Sequence, residues 1–335
     1  MVVLSALGLT GCKHSGNKLL LPNVSGKAGE IVVVMDKDNW DGDLGAATRD
    51  LLASDCPWLA SKEPLFSLVN VSPTGFTDLF SVHRNILMFR FASDTTSTGM
   101  ITRDNVWAQP QKYVQITAST PEEALSILQD KGARIAATFE QAERDRIIAN
   151  SILYENHEIA PEVTAKVGGS PHFPEGYQLL KQTDDFMWIA YNKQYSMQGI
   201  FVMKYPAADK ENFSEENIVA NIDRILQEEV PGQFDNTWMV ISTYIKPSVE
   251  FLRYRGRQFA QTRGFWEVHN DFMGGPFVAH SFYSKDNKDI ITLFAWVYAP
   301  KYDKRQYLRQ VESIAYSFEW ADKTGEQAED EASAE

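Results

Sequence analysis

The sequence predicts an α+β protein of two domains, each a mainly antiparallel sheet with helices packed on one side. Three observations predict it. Between residues 186 and 298, apolar and aromatic runs follow one another with turn signals between them and a single helical stretch, which is the pattern of consecutive strands. Helical patterns are few and segregated, which favours helices on one face of an antiparallel sheet over a doubly wound arrangement. The run Gly168-Gly169-Ser170-Pro171-His172-Phe173-Pro174 punctuates the chain, and strand patterning restarts after it.

In chain order, the first feature is an apolar run, residues 1–11, that leads into Leu9-Thr10-Gly11-Cys12. An apolar residue, two small ones and a cysteine form a bacterial lipobox: the small residues lie extended in the signal peptidase groove, and Cys12 accepts a diacylglyceryl group. The run is too short to span a bilayer, which takes about 20 apolar residues. Residues 1–11 are therefore expected to be a lipoprotein signal peptide and Cys12 the lipidation site, carrying palmitate-like chains. Residues 12–28 would be a polar tether. No Lys or Arg precedes the apolar run, so a start codon further upstream, with a basic segment, is expected. Two or three acyl chains make a firm membrane anchor where one is marginal.

The N-terminal domain is expected over residues 29–168. Residues 30–35 read as a buried strand and 40–53 as a helix capped by Asp41 or Asp43. Strand-like runs recur at 65–71, 85–91 and 113–117. Thr120-Pro121-Glu122-Glu123 is a capping box with proline at the first helical position, and Gly132 is expected to end that helix. A second helical stretch, 133–154, has an apolar stripe and looks like the element joining the two halves. The C-terminal domain is expected over 169–320, with paired strands at 186–191 and 199–205. A helix capped by Asn212 with Glu215 follows, then strands at 238–244, 249–257, 264–269, 277–283 and 290–298. Asp303 with Gln306 would cap a last helix through Ile314, after which residues 316–318 close a sheet. Residues 321–335, with six acids against Lys323, are expected to be a disordered tail.

Composition narrows the function. A net charge of −13 argues against nucleic acid and polyanionic surfaces as partners. With Cys12 lipidated, Cys56 is the one cysteine left; it has no intramolecular partner and reads as a small buried hydrophobe. Asp36, Asp38, Asp41 and Asp43 fail the EF-hand spacing and read as acids at a helix start. His172, His269 and His280 stand at no ligand spacing, so no metal or other cofactor is expected. No serine lies in a nucleophile elbow, and no glycine series marks a phosphate-binding turn.

Two constellations remain as candidate ligand sites. Arg253, Arg255 and Arg257 alternate, so a strand through them would aim three guanidinium groups to one face, either to pair with acids or to bind a carboxylate or phosphate. Gly274 and Gly275, in Met273-Gly274-Gly275-Pro276, suit a hairpin turn with positive φ, or else let a ligand approach the backbone beside Trp266 and Phe277.

The stretches Glu63-Pro64-Leu65-Phe66, His83-Arg84-Asn85-Ile86-Leu87, Arg263-Gly264-Phe265-Trp266, residues 270–277 and Val297-Tyr298-Ala299-Pro300 resemble an uncharacterised lipoprotein family of Bacteroidota, catalogued as a domain of unknown function. The resemblance covers roughly residues 31–318 and implies no catalytic residues. The second half also resembles the PsbP/Mog1 sandwich in strand and helix order, which bears on fold alone. Surface-bound lipoproteins of Bacteroidota carry acids just after the lipidated cysteine. Lys13-His14-Ser15-Gly16-Asn17 has none, which implies an anchor in the outer membrane facing the periplasm. The expected function is a non-enzymatic binding or structural module whose partner is an envelope protein or an anionic cell-wall ligand. The alternative is a hydrolase of envelope polymers.

Overall fold

The computed structural model describes residues 20–92, 97–208 and 210–321. Its α+β class and two units agree with the sequence. The N-terminal unit is built from β1 (Glu30–Val34), α1 (Lys37–Asp41), α2 (Asp43–Leu52), β2 (Ser67–Val71), α3 (Asp78–Ser81), β3 (Asn85–Phe91), β4 (Gly99–Asp104), β5 (Lys112–Ala118) and α4 (Pro121–Leu153). Its sheet runs β2-β1-β3-β5-β4. Here the expected antiparallel arrangement is corrected: β1 pairs in parallel with β2 and β3, and β3 in parallel with β5, so that only the β4–β5 pairing is antiparallel. The physical reason is that α1 and α2 form a helical crossover from β1 to its neighbour β2, and such a crossover returns the chain in the same direction. The continuous apolar run of β1, buried from Ile31 onward, is what a strand covered on both faces requires.

Asp36, rather than Asp41 or Asp43, caps the first helix by accepting from the Asn39 N–H at 3.0 Å. Thr120 caps α4, accepting from Glu123 N–H, while the Glu123 carboxylate accepts from Ser119 N–H at 2.7 Å. Gly132 does not end this helix. It is buried inside a 33-residue helix, about 50 Å long at 1.5 Å per residue, and a Cβ there would meet Leu51 of α2 at 3.0 Å. The last residues of the expected tether are also docked: Ser25 N–H donates to Val82 O at 2.9 Å and Gln109 N–H to Pro22 O at 2.9 Å.

The C-terminal unit contains α5 (Ile159–Val167), β6 (Gly169–Ser170), β7 (Gln178–Gln182), β8 (Phe186–Lys193), β9 (Ser196–Pro206), α6 (Glu215–Glu229), β10 (Met239–Ile241), β11 (Ser248–Tyr254), β12 (Arg257–Val268), β13 (Gly274–Tyr283), β14 (Asp289–Tyr298), α7 (Arg305–Tyr316) and β15 (Glu319–Trp320). Its main sheet is antiparallel, β10-β12-β13-β14-β9-β8-β7, with β11 also paired to β12; β6 and β15 form a small separate pair. Helices cover both faces of the main sheet, which corrects the one-sided expectation. Ile159 and Val163 of α5 and Val311 and Ile314 of α7 pack with Ile189, Val202 and Leu293 on one face. Ile218, Ile222 and Leu226 of α6 pack with Phe201, Met203 and Phe294 on the other. Strands this apolar bury both faces, and a single helical layer could cover only one. Because α5 belongs to this core, and Ile148 near the end of α4 packs with it, the C-terminal core begins ahead of residue 168.

The two units meet along α7. Lys304, not Asp303, precedes its first turn, and no side chain of its own caps it. The cap comes from the other unit: the buried Glu63 carboxylate accepts from the N–H groups of Lys304 and Arg305, each at 2.8 Å. Helix α6 likewise takes Ser214 as its cap, while Asn212 bonds Ala208 instead. Glu63→Ala removes this side-chain cap of α7 and leaves two part-buried N–H groups without it. It is expected to cost about 1–2 kcal/mol, read as a lowered denaturation midpoint; an unchanged midpoint would refute the capping role.

Candidate ligand-binding site

The two sequence candidates have different fates. The arginine stripe does not exist as one strand. Arg255, at φ 45°, and Gly256, at φ 82°, form the turn between β11 and β12, so Arg253 and Arg257 stand on different strands. Turns of this hand favour glycine or asparagine, and the arginine at 255 hid the hairpin from the sequence. Arg253 is exposed, and Arg255 lies 3.8 Å from Glu319. Arg257 turns inward: its guanidinium sits 4.6 Å from the Phe282 ring centre and 4.8 Å from that of Phe259, and it donates to Ala315 O at 3.1 Å. Burial pushes it down to about 10.

Arginines do gather elsewhere. Arg144, Arg263, Arg305 and Arg309 line a cavity of about 200 Å³ between the units, beside Glu140, Glu312 and Cys56. Arg309 bonds Glu140, and Arg263 and Arg144 both donate to Glu312. Burial alone would raise the Glu312 carboxyl, but the guanidinium groups of Arg263 and Arg144 outweigh it and hold it below the ordinary range. Burial pushes the Cys56 thiol up to about 11, so it stays protonated and is a poor nucleophile at neutral pH. These contacts join the two units.

The glycine candidate leads to a real cleft. Gly274 and Gly275 begin β13 and do not form a turn, and neither has positive φ. Their requirement is steric. Gly275 stands opposite Trp266 on β12, and a Cβ at Gly275 would overlap Val297 O and meet the indole nitrogen of Trp266 at 3.0 Å. The same device recurs twice across this sheet. Gly199 stands opposite Trp296, where a Cβ would fall 2.5 Å from the indole, and Gly264 stands opposite Phe277, at 2.8 Å from its ring. Three aromatic rings thus pack against three glycines of the neighbouring strand.

Two of these rings wall a cleft of about 370 Å³, within the range of small-molecule sites. Trp188, Trp266, Trp296 and Tyr298 supply its aromatic lining and Met197, Met239 and Met273 its thioethers, with Val230, Pro231 and Gly232, just past α6, beside them. Trp296 packs edge-on to Trp188 and Trp266, with ring centres 6.2 and 5.6 Å apart. The Trp266 indole donates to Val297 O at 3.2 Å; those of Trp188 and Trp296 are buried with no partner among the described residues. No Lys, Arg, Asp or Glu lines the cleft. Asp223 on α6 stands behind it, accepting from Ile241 N–H at 2.7 Å and fixing the helix to β10; burial pushes its carboxyl up to about 6.

Of the predicted residues, then, Trp266 lines the cleft and Gly275 makes room for it. Phe277 is fully buried and stacked on Phe294 at 4.5 Å, so it is core. Trp188, Trp296 and the three methionines escaped the sequence reading; glycines inside strand patterns were the available signal, but only the register pairs each with its ring. His172 bonds Glu155 at 2.9 Å, His269 stacks on Trp238 and His280 is buried beside Phe259. Cys12 lies outside the described residues, as does the tail beyond residue 321.

Comparisons with known proteins follow the same division. Residues 156–317 match the family model of a domain of unknown function, DUF4837, and residues 24–151 match that of another, DUF8532. The two meet at the turn between α4 and α5. No curated protein matches the chain. Among solved structures, a mutant of the protein Mog1 is 11% identical with a TM-score of 0.31, covering 47% of this chain and 93% of its own. A crystal structure from Bacteroides thetaiotaomicron VPI-5482 is 8% identical with a TM-score of 0.21, covering 47% of this chain and 46% of its own.

The arginines separate experimentally. Arg257→Ala leaves the rings of Phe259, Phe282 and Phe318 facing a void and is expected to cost about 1–3 kcal/mol, whereas Arg253→Ala should stay within about 0.5 kcal/mol. Equal losses in denaturant unfolding would contradict this assignment.

Proposed function

We propose that this protein is a non-enzymatic binding module of the cell envelope, tethered through Cys12 to the periplasmic face of the outer membrane, and that the cleft of Trp188, Trp266 and Trp296 holds its ligand. The observation that carries the reading is the cleft's lining: aromatic and thioether side chains around an open volume, without a charged group. Such a surface gives up little solvation when covered and gains from every apolar atom placed on it. Its lining carries no carboxylate, imidazole, amine or thiol to act on what is bound, which supports binding over catalysis. The lipobox supplies the location, since lipid on Cys12 would keep the folded units at a membrane.

The three cleft indoles make binding directly readable. Titrating N-phenyl-1-naphthylamine into the full chain should quench tryptophan emission saturably at one equivalent, and Met273→Lys, which brings a charge to the cleft, should weaken binding at least tenfold. A linear, unsaturable response in the native protein would sink the cleft as a ligand site. Cells fed an alkyne-bearing palmitate should label the native protein and not Cys12→Ala; equal labelling would remove the tether.

A further inference from the structure

The cleft has a shape as well as a polarity. Trp188, Met197, Trp296, Trp266 and Met239 stand on β8, β9, β14, β12 and β10, which follow one another across the sheet with β13 between β14 and β12. The side chains draw together over these strands: the ring centres of Trp188 and Trp266 lie 6.2 and 5.6 Å from that of Trp296, so the three indoles span at most about 12 Å. A volume of about 370 Å³ lined from five strands is an apolar trough open at the sheet face. Its three methionines, unbranched and adaptable, suit a guest with many conformers, such as a flexible alkyl chain.

The rim adds an independent observation. The loop that supplies Gln233 also carries Phe234, 62% exposed, and the loop that supplies Met273 carries Phe272, which is fully exposed. The two loops are joined: His269 N–H donates to Trp238 O at 2.8 Å, the His269 ring stacks on Trp238 at 4.3 Å, and the Asn270 amide donates to Asn236 O at 3.3 Å. Two phenyl rings held in water on braced loops, beside an apolar trough, form a surface suited to entering lipid. Asp235 and Asp271 flank them, which disfavours an anionic surface and favours a zwitterionic one.

We propose that the trough takes up a single acyl chain from a lipid surface, with Phe234 and Phe272 entering that surface. The inference rests on the cleft being the ligand site and adds the ligand's class. With no charged side chain in the lining, a phosphate or carboxylate head has no counter-charge inside and keeps its solvation at the mouth, so the site selects the tail.

The test uses the full chain carrying Cys12→Ala, so that its own lipid cannot hold it to vesicles. Energy transfer from tryptophan to 11-(dansylamino)undecanoic acid below its micelle concentration is compared with transfer to dansylamide, which has the same fluorophore and no chain. At least tenfold tighter binding of the chain-bearing probe is expected. The double variant Phe234→Ser, Phe272→Ser, whose altered residues are exposed and leave the core intact, should keep that affinity. It should take the probe from phosphatidylcholine vesicles at least fivefold more slowly. Equal affinity for the two probes would overturn the acyl assignment while leaving the cleft a ligand site; no saturable transfer to either would overturn both. Vesicle uptake at the native rate by the double variant would overturn the role of the two rings.

Discussion

Helix α7 holds two proteins' worth of surface together, and its charged residues make this possible. One side of it is core: Leu308, Val311, Ile314 and Ala315 pack on the C-terminal sheet. The other side presents Arg309 and Glu312, both nearly buried, to the N-terminal unit and to Arg263. Buried charges are costly unless matched, and here each is matched across an element boundary: Arg309 by Glu140 and the Leu65 carbonyl, Glu312 by Arg144 of α4 and Arg263 of β12. Removing one partner from such a pair typically costs about 3–5 kcal/mol, because the other is left buried alone. The pairing therefore fixes the docking register of the units more than it adds net stability. The Glu63 cap has the same logic, since the first turn of α7 is satisfied only when the N-terminal unit is in place.

The cleft has a different origin, in the mismatch between a helix and the sheet beneath it. A 15-residue helix such as α6 is about 22 Å long, while strands of 10 to 12 residues such as β12 and β14 run about 33–40 Å. Where α6 stops at Glu229, the sheet continues, and no helix residue lines the cleft on that face. Indole rings laid across glycines supply the cover, Trp296 over Gly199 and Trp266 over Gly275. Rings cover a surface without filling the space above it, which is how an apolar face ends up both buried and open to a guest.

Much of the fold is legible in the sequence because it depends on short-range pattern. Strands β1, β3, β5, β8, β9, β13 and β14 follow apolar runs, and the capping box of α4 forms as read. What the sequence hides depends on partners far along the chain. Strand β4 is a largely polar edge strand, identified only by its pairing with β5. Gly132 reads as a stop, yet packing against Leu51 needs a residue without a side chain at that point of a long helix. Asp303 and Gln306 read as a cap because Glu63, some 240 positions earlier, is invisible to local pattern. The arginine stripe fails for the same kind of reason, a turn at Arg255 and Gly256 that lacks the usual residue pair. Trp266 was legible as a site residue through its neighbouring glycines, but Trp188 and Trp296 required the register.

These two features sit on opposite faces of one sheet, and the alternation of side chains along a strand keeps them apart. On β9, Gln198 reaches α7, donating to the Tyr307 carbonyl at 3.2 Å, while its neighbours Met197 and Gly199 face the cleft. On β12, Arg263 faces α7 and Trp266 faces the cleft; on β14, Ala295 and Val297 belong to the α7 face and Trp296 to the other. A residue's parity in the strand thus decides whether it joins the units or lines the site. The N-terminal unit docks on α7, which with α5 covers the face opposite the cleft. Division of the strands in this way lets the joint be rigid and charged while the cleft stays apolar and uncharged, two surfaces that could not share one face of the sheet.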